Sequence, residues 1–277
     1  MHHKQKTGVP ISIAIITKDE EDRIRPCLES LSFADEIVVV DSGSMDDTVH
    51  IARTAGCRVI TEKWRGYAGQ KQFAVDQCRN EWVIILDADE RIPRETAGKL
   101  VEMPFNAVPS ITAYSFLRKN FFHERWIRHC GWWPDRIIRL VNRKQGQFNS
   151  RLVHERWITD GTTRDLNLTI NHHSFRNYSD LVNKMQTYST LSARDMLARG
   201  KRAGSWTPLS HGLWMFLRTY ILEMGVLEGF DGFMISALNG GGSFMKYAKL
   251  REMNTNARKI RKDERSKQTI IAKRRNP

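Results

Sequence analysis

Four short apolar runs alternate with helix-period segments over roughly the first hundred residues, and that alternation restricts the fold more than any other feature. "VPISIAIIT" (9–17), "EIVVVD" (36–41), "CRVIT" (57–61) and "EWVIIL" (81–86) are rich in β-branched and apolar residues, as strands buried on both faces are. "DEEDRIRPCLESLSF" keeps Ile24, Cys27, Leu28 and Leu31 at helical spacing and crowds acids into its first turn, where the macrodipole favours them. "SMDDTVHIARTAG" reads as a helix starting at Ser44 or Asp46 and stopping at Gly56. "AGQKQFAVDQCRN" reads as one ending near Asn80, and "PRETAGKLVEM" as one with Pro93 in its first turn. This βαβαβαβα order predicts an α/β fold: a parallel or mostly parallel sheet with helices on both faces.

Ligands of such sheets bind beyond the carboxyl ends of the strands. Three of those ends are polar here: "TKDEE" after the first strand, "DSGS" after the second and "DADE" after the fourth. Asp87 and Asp89 form a DxD. On an extended strand end, residues i and i+2 point the same way, so both carboxylates can face one Mg²⁺ or Mn²⁺ ion that substrate phosphates complete. Glu90 either contacts substrate or caps the helix that Pro93 begins. Asp41 either caps its own turn or accepts a hydrogen bond from a nucleotide base or ribose, and Asp46 and Asp47 read as helix caps. No GxGxxG or GxxxxGK[ST] follows a strand, which disfavours a dinucleotide fold or a P-loop.

The second half changes character. "ITAYSFLRKNFF", "DRIIRLVN" and "LNLTINHHSF" read as strands, and the chain turns helical from about 177. An apolar stretch over 206–250 is interrupted by Gly-rich "LNGGGSF". Its longest apolar run, "LWMFLRTYILEMGVL", is broken by Arg218 and Glu223 and falls short of the roughly 18 residues of a membrane span. It suits an interfacial helix with Trp206 and Trp214 at headgroup depth. It equally suits a helical pair packed on the catalytic domain or on a second subunit of a homo-oligomer.

The net charge is +13, and residues 251–277 hold ten Lys or Arg against three Asp or Glu. That tail reads as helical at its start and then loose. The basicity calls for an anionic partner, with an acidic membrane surface the expected one. Nucleic acid is disfavoured, because no RNP, KH, helix-turn-helix or zinc pattern is present and strand-end carboxylates repel phosphate unless a metal intervenes. The four cysteines form no CxxC pair, and Cys27 and Cys78 suit buried free thiols in a reducing cytoplasm. "MHHKQKTGVP" does not read as a signal peptide, so the expected location is cytoplasmic, peripheral on the inner face of the membrane.

"ISIAIITKDEE", "IVVVDSGSMDDT", "GYAGQKQFAV" and "VIILDADE", in this order, resemble the GT-A fold glycosyltransferases of family 2. Within it they are most similar to the lipopolysaccharide core β-1,4-glucosyltransferase group, over about 10–175. Asp19 stands where that pattern usually has Asn, and Met45 where Thr is common. The resemblance implies a catalytic domain over 1–175, with a nucleotide half at 9–104 and an acceptor half at 105–175. A helical region (176–250) and the basic tail (251–277) follow. The implied activity is inverting, metal-dependent transfer of a hexose, glucose expected, from a nucleotide sugar, a UDP-sugar expected. The implied acceptor is a glycolipid or oligosaccharide of the bacterial envelope such as the lipopolysaccharide inner core; a polyprenyl phosphate or a protein side chain is the alternative.

The resemblance also implies roles. Thr17 and Asp41 would contact the base, with Glu20 nearby. Lys71 would hold the nucleotide or diphosphate, unless it is a solvated helix lysine. Asp87 would bind ribose or support the metal, and Asp89 would ligate it. The general base has to come from the second half. Glu155 in "RLVHERW" is favoured, with an ion pair to Arg151 or Arg156 as its structural alternative, and Asp135 in "GWWPDRIIRL" is the second candidate. His154 would orient the base or touch substrate. Arg136 and Arg139 suit a diphosphate clamp, since Arg makes bidentate phosphate contacts. His172 in "INHHS" is a candidate late metal or phosphate contact. Trp132 and Trp133 either stack on a sugar ring or pack in a core.

Overall fold

Over the first half the chain runs β1 (Ile11–Thr17), α1 (Glu21–Glu29), β2 (Glu36–Asp41), α2 (Thr48–Thr54), β3 (Arg58–Thr61), α3 (Gly66–Asp76), β4 (Trp82–Asp87), β5 (Glu90–Arg91) and α4 (Arg94–Glu102). It continues through β6 (Ile111–Phe122), β7 (Arg125–Trp126), β8 (Arg136–Asn142), β9 (Gly146–Phe148), β10 (Trp157–Thr159) and β11 (Thr162–Phe175), then α5 (Tyr178–Ala198), α6 (Thr207–Leu217) and α7 (Gly229–Arg275). The structure, a computed structural model, describes residues 10–149 and 155–275, with side chains to Ala257.

β1 is buried at every position, and its side chains divide by period two between two cores. Ile11, Ile13 and Ile15 pack with Trp82, Ile84 and Leu86 of β4, with α1 and with Leu100 of α4. Ala14 and Ile16 pack with Val38 and Val40 of β2, Val83 and Ile85 of β4, and Ala74 and Val75 of α3. A run with no wettable face forces helices onto both sides.

The strand order is β3-β2-β1-β4-β8-β6-β11-β5, with β7 on β6, and β9 and β10 form a separate pair. β3, β2, β1 and β4 pair in parallel, as the βα alternation demands. β8 joins β4 antiparallel and β6 joins β8 antiparallel, so the whole sheet is mixed rather than mostly parallel. The second half lacks the crossover helices that parallel pairing requires. α3 ends at Asp76, ahead of Asn80. The intervening backbone is diverted toward β4, with Arg79 N donating to Glu36 Oε2 and Asn80 N to Ser12 Oγ.

The chain divides into two compact units, 1–126 with 133–174, and 127–132 with 175–277. The sheet belongs to the first. In the second, residues 127–132 are tied by Glu228, whose Oε1 accepts from Arg128 N at 2.8 Å and His129 N at 3.2 Å.

The Gly-rich run does not interrupt the second unit. α7 passes through it and on to Arg275, so the tail is helical well past its start. A Cβ on Gly240 would stand 2.9 Å from Phe216 Cβ and 3.0 Å from Gly212 O, so the glycines are where α6 and α7 cross closely. Gly240→Ala is therefore expected to lower stability by about 1–3 kcal/mol despite its better helix propensity. Gly241, where an added Cβ meets nothing within 4 Å, is the control: Gly241→Ala should gain up to about 1 kcal/mol. Urea unfolding of both variants checks the contrast.

Candidate functional site

The parallel register sets Thr17 beside Asp41 and Ile16 beside Asp87, so three strand ends finish at one level. The first two loops are laced to each other. Asp19 N donates to Ser44 Oγ, Glu20 N to Thr48 Oγ1 and Met45 N to Asp19 Oδ1. Asp46 caps α2 through Thr48 N at 3.0 Å and also accepts from Glu21 N, whereas Asp47 makes no side-chain cap. α2 thus starts at Thr48, after the turn that Asp46 closes. Asp41 is buried, and Oδ2 accepts from Gly43 N and Ser44 N at 2.8 and 2.9 Å, so its carboxylate holds its own turn. Gln70, buried on α3, ties that loop to the third strand's end through Ser42 Oγ and Glu62 O. Glu20 reaches the end of β4 through Arg23, which lies 3.5 Å from Glu20 Oε2 and 3.8 Å from Asp89 Oδ2.

Beyond β4 the ionic side chains form one connected chain. Lys71 Nζ stands 3.0 Å from Asp87 Oδ1 and 3.1 Å from Glu155 Oε1, with only 5% of its side chain exposed. It is no solvated helix lysine, and Glu155 pairs across to α3 rather than with its neighbour Arg156. Arg139 Nη2 donates to Asp87 Oδ2 at 2.8 Å and to Glu90 Oε1 at 2.6 Å. Glu90 is fully buried, and its Oε2 accepts from Asp87 N, so it braces the DxD backbone. Arg118 links Glu90 at 3.5 Å to Asp135 at 2.8 Å. Asn120 donates to the same Asp135 oxygen, and its Oδ1 lies 2.6 Å from His172 Nδ1. His172 Nε2 returns to Asp89 Oδ2 at 3.5 Å.

Local structure explains who joins. β5 pairs antiparallel with β11, setting His172 opposite Glu90. Tyr114 pairs with Leu140 but Ser115 with Ile138, so Arg139 is the extra residue of a bulge, a device that re-aims a side chain. Arg136 is not re-aimed. Its guanidinium bonds Leu166 O at 3.1 Å and stays outside the chain of charges, so no Arg136–Arg139 pair forms there. Trp132 stacks on Phe175 in the second unit, while Trp133 meets Trp126 edge-on in the first. His154 and Arg151 lie outside the described residues.

Burial would raise the Asp87 carboxyl, but Lys71 and then Arg139 outweigh it and hold it well below the usual carboxylate range. Asp89 is lowered as well; burial opposes ionisation there, and His172 favours it most strongly. Arg139 stays charged because Glu90 and Asp87 offset its burial.

Six buried side-chain polar atoms have no hydrogen-bond partner among the described residues, and three of them, Thr17 Oγ1, Asp89 Oδ1 and Arg139 Nε, belong to this site. Orphans of this kind are rare in a finished interior, and the three here are polar groups that a bound ligand would satisfy. Among the described residues no three His, Cys, Asp or Glu side chains group to hold a metal. The Asp87 oxygens are taken by Lys71 and Arg139, and the His172 nitrogens face Asn120, Ser174 and Asp89. Asp89 alone fits a hard cation, as a single carboxylate with an open oxygen that a ligand's phosphates would complement. Arg23, Gln70, Arg118 and Asn120 are members that sequence reasoning missed. Arg118 and Asn120 carry a readable signal, two polar residues at i and i+2 near the end of an apolar strand.

The profile of glycosyl transferase family 2 matches residues 12–160, a span holding every residue of this network except His172 and Ser174. An uncharacterized glycosyltransferase of Rickettsia typhi is 33% identical over 262 residues, covering 90% of this chain and 89% of its own. The lipopolysaccharide core biosynthesis glycosyltransferase LpsC of Rhizobium meliloti is 31% identical over 254 residues, covering 87% and 92%. Among solved structures, the mannosyltransferase PcManGT of Pyrobaculum calidifontis, in complex with GDP-Man and Mn²⁺, aligns over 88% of each chain with a TM-score of 0.51 at 15% identity, a likeness of fold. With a GT-A-type mixed sheet, strand ends that converge on one polar network and relatives matched along most of their length, the chain belongs to glycosyl transferase family 2.

Proposed function

We propose that the protein is an inverting, metal-dependent hexosyltransferase. It moves a hexose, glucose first among candidates, from a UDP-sugar to an envelope glycolipid of the lipopolysaccharide inner core, at the cytoplasmic face of the membrane. The name of the relative LpsC supports the acceptor class. Four buried free thiols suit a reducing compartment. The observation that carries the chemistry is Lys71, a buried cation shared between Asp87 and Glu155 beyond the strand ends.

In this reading the acceptor hydroxyl gives its proton to Glu155 while its oxygen bonds the anomeric carbon. The bond from that carbon to the diphosphate oxygen breaks on the opposite face, and the nucleoside diphosphate leaves. Lys71 and Arg139 supply positive charge to the departing phosphates. Donor phosphates compete with Glu155 for Lys71, so donor binding frees the base for the acceptor. Thr17 Oγ1 is the open hydroxyl at the base end, and Asp41 shapes the loop beside it. Asp89, with its open oxygen, would hold Mg²⁺ or Mn²⁺, an ion that supplies charge for the leaving group when bound.

The test is thermal. UDP with Mn²⁺ is expected to raise the wild-type melting midpoint more than UDP alone. Asp89→Asn should keep the response to UDP and lose the increment from Mn²⁺. An undiminished Mn²⁺ increment in Asp89→Asn would remove the metal role from this residue.

A further inference from the structure

The second unit carries an apolar face that its own packing leaves uncovered. α6 is apolar around most of its circumference. Pro208 and Gly212 are buried, whereas Leu209, Leu213 and Leu217 form an i, i+4 stripe that stays exposed. Trp206 begins the stripe at 77% exposure, and Phe230, in the first turn of α7, is 67% exposed and packs on Phe233, which meets Phe216 of α6 edge-on. Of the 21 large apolar residues exposed among the described ones, 13 fall between Trp206 and Phe244. An ordinary water-facing surface scatters such residues singly.

The same unit holds the charge. It has 20 Lys or Arg against 8 Asp or Glu, so +12 of the net +13 lies there and the sheet-bearing unit is nearly neutral. Between Thr207 and Leu222 the only charged residue is Arg218, which pairs with Glu223 at 2.9 Å. The other cations stand outside the ribbon, with Lys201 and Arg202 just before it. An apolar strip with a basic margin fits an anionic bilayer interface. A second copy of the chain fits worse, because it would bring a second +12 unit against the first. Among the described residues no helix is long and apolar enough to cross a membrane, so the strip can lie in an interface but α6 cannot span one.

We propose that this face of the second unit, built on α6 and the start of α7, seats in the headgroup region of an anionic lipid monolayer. The inference concerns a surface and does not depend on the donor, the acceptor or the base.

Flotation of the full chain with vesicles tests it. Phosphatidylcholine vesicles containing about 30% phosphatidylglycerol should carry the protein at least about tenfold better than pure phosphatidylcholine at low salt. The double variant Leu213→Glu with Phe230→Glu should lose about tenfold or more of that binding, with unchanged circular dichroism and an unchanged thermal response to UDP. Brominated acyl chains should quench tryptophan emission in the wild type and far less in the Trp206→Phe, Trp214→Phe variant. Three outcomes overturn the proposal: no wild-type flotation, full flotation of the Glu variant, or a lipid-free dimer that the Glu substitutions split. The UDP response is read separately, so loss of lipid binding and failure of the transferase reading are distinguishable.

Discussion

Glu155→Gln is expected to bind donor at least as tightly as the wild type, since Gln competes less for Lys71, and to lose about 10²–10⁴-fold in kcat, the usual worth of a general base. The substitution keeps shape and leaves an oxygen to accept from Lys71 Nζ, which stands 3.1 Å from Glu155 Oε1. It removes only the ability to take a proton. A Glu155 whose sole work is to position Lys71 would tolerate Gln with little loss, so the size of the effect separates the two roles. Lys71→Met supplies the complementary pattern, a weaker donor affinity together with a lower kcat, because the cation serves the phosphates in both states. Full activity in Glu155→Gln would move the base elsewhere. Asp135 is then the remaining carboxylate from the sequence reading, although Arg118 and Asn120 already claim its Oδ2.

The strand ends were legible because burial leaves a local signature. Continuous β-branched runs announce β1, β2 and β4, and the first acid after each run falls at the sheet's carboxyl edge. The partners of those acids were not legible. β5 has two residues, and its pairing with β11 joins positions about eighty apart in sequence, with no local pattern to mark it. The bulge at Arg139 depends on a register between β6 and β8 that neither strand reveals alone. Asp46 caps α2 as its position suggests, but Asp19 and Glu21 accept from backbone N–H groups of the opposite loop, and Asp46 also accepts from Glu21 N, a lacing that no local pattern announces. The glycines of α7 read as a break because propensity is local, whereas close approach to α6 is a tertiary demand.

Arg139→Met should be the most destabilising single change in the site, by about 3–5 kcal/mol, because it strips the cation from a buried carboxylate. Glu90 has no exposed side-chain surface and Arg139 has 4%, so neither can turn to water when the other is removed. Arg118, 3.5 Å from Glu90 Oε1, softens the loss without replacing the 2.6 Å contact. Adding Glu90→Gln to Arg139→Met removes the stranded charge while Gln still offers an oxygen to Asp87 N, so the double variant should recover about 0.5–3 kcal/mol relative to strict additivity. The pH dependence has a definite sign. Asp87 is held well below its ordinary value by Lys71 and Arg139, so its share of stability is present above the unfolded aspartate value of about 3.9 and fades as pH falls below it. The gap between wild type and Arg139→Met should therefore be widest near neutrality and narrow in acid below about pH 4. Urea midpoints across that range measure it. A gap that stays constant into acid would assign the loss to packing of the long Arg139 stem rather than to its charge.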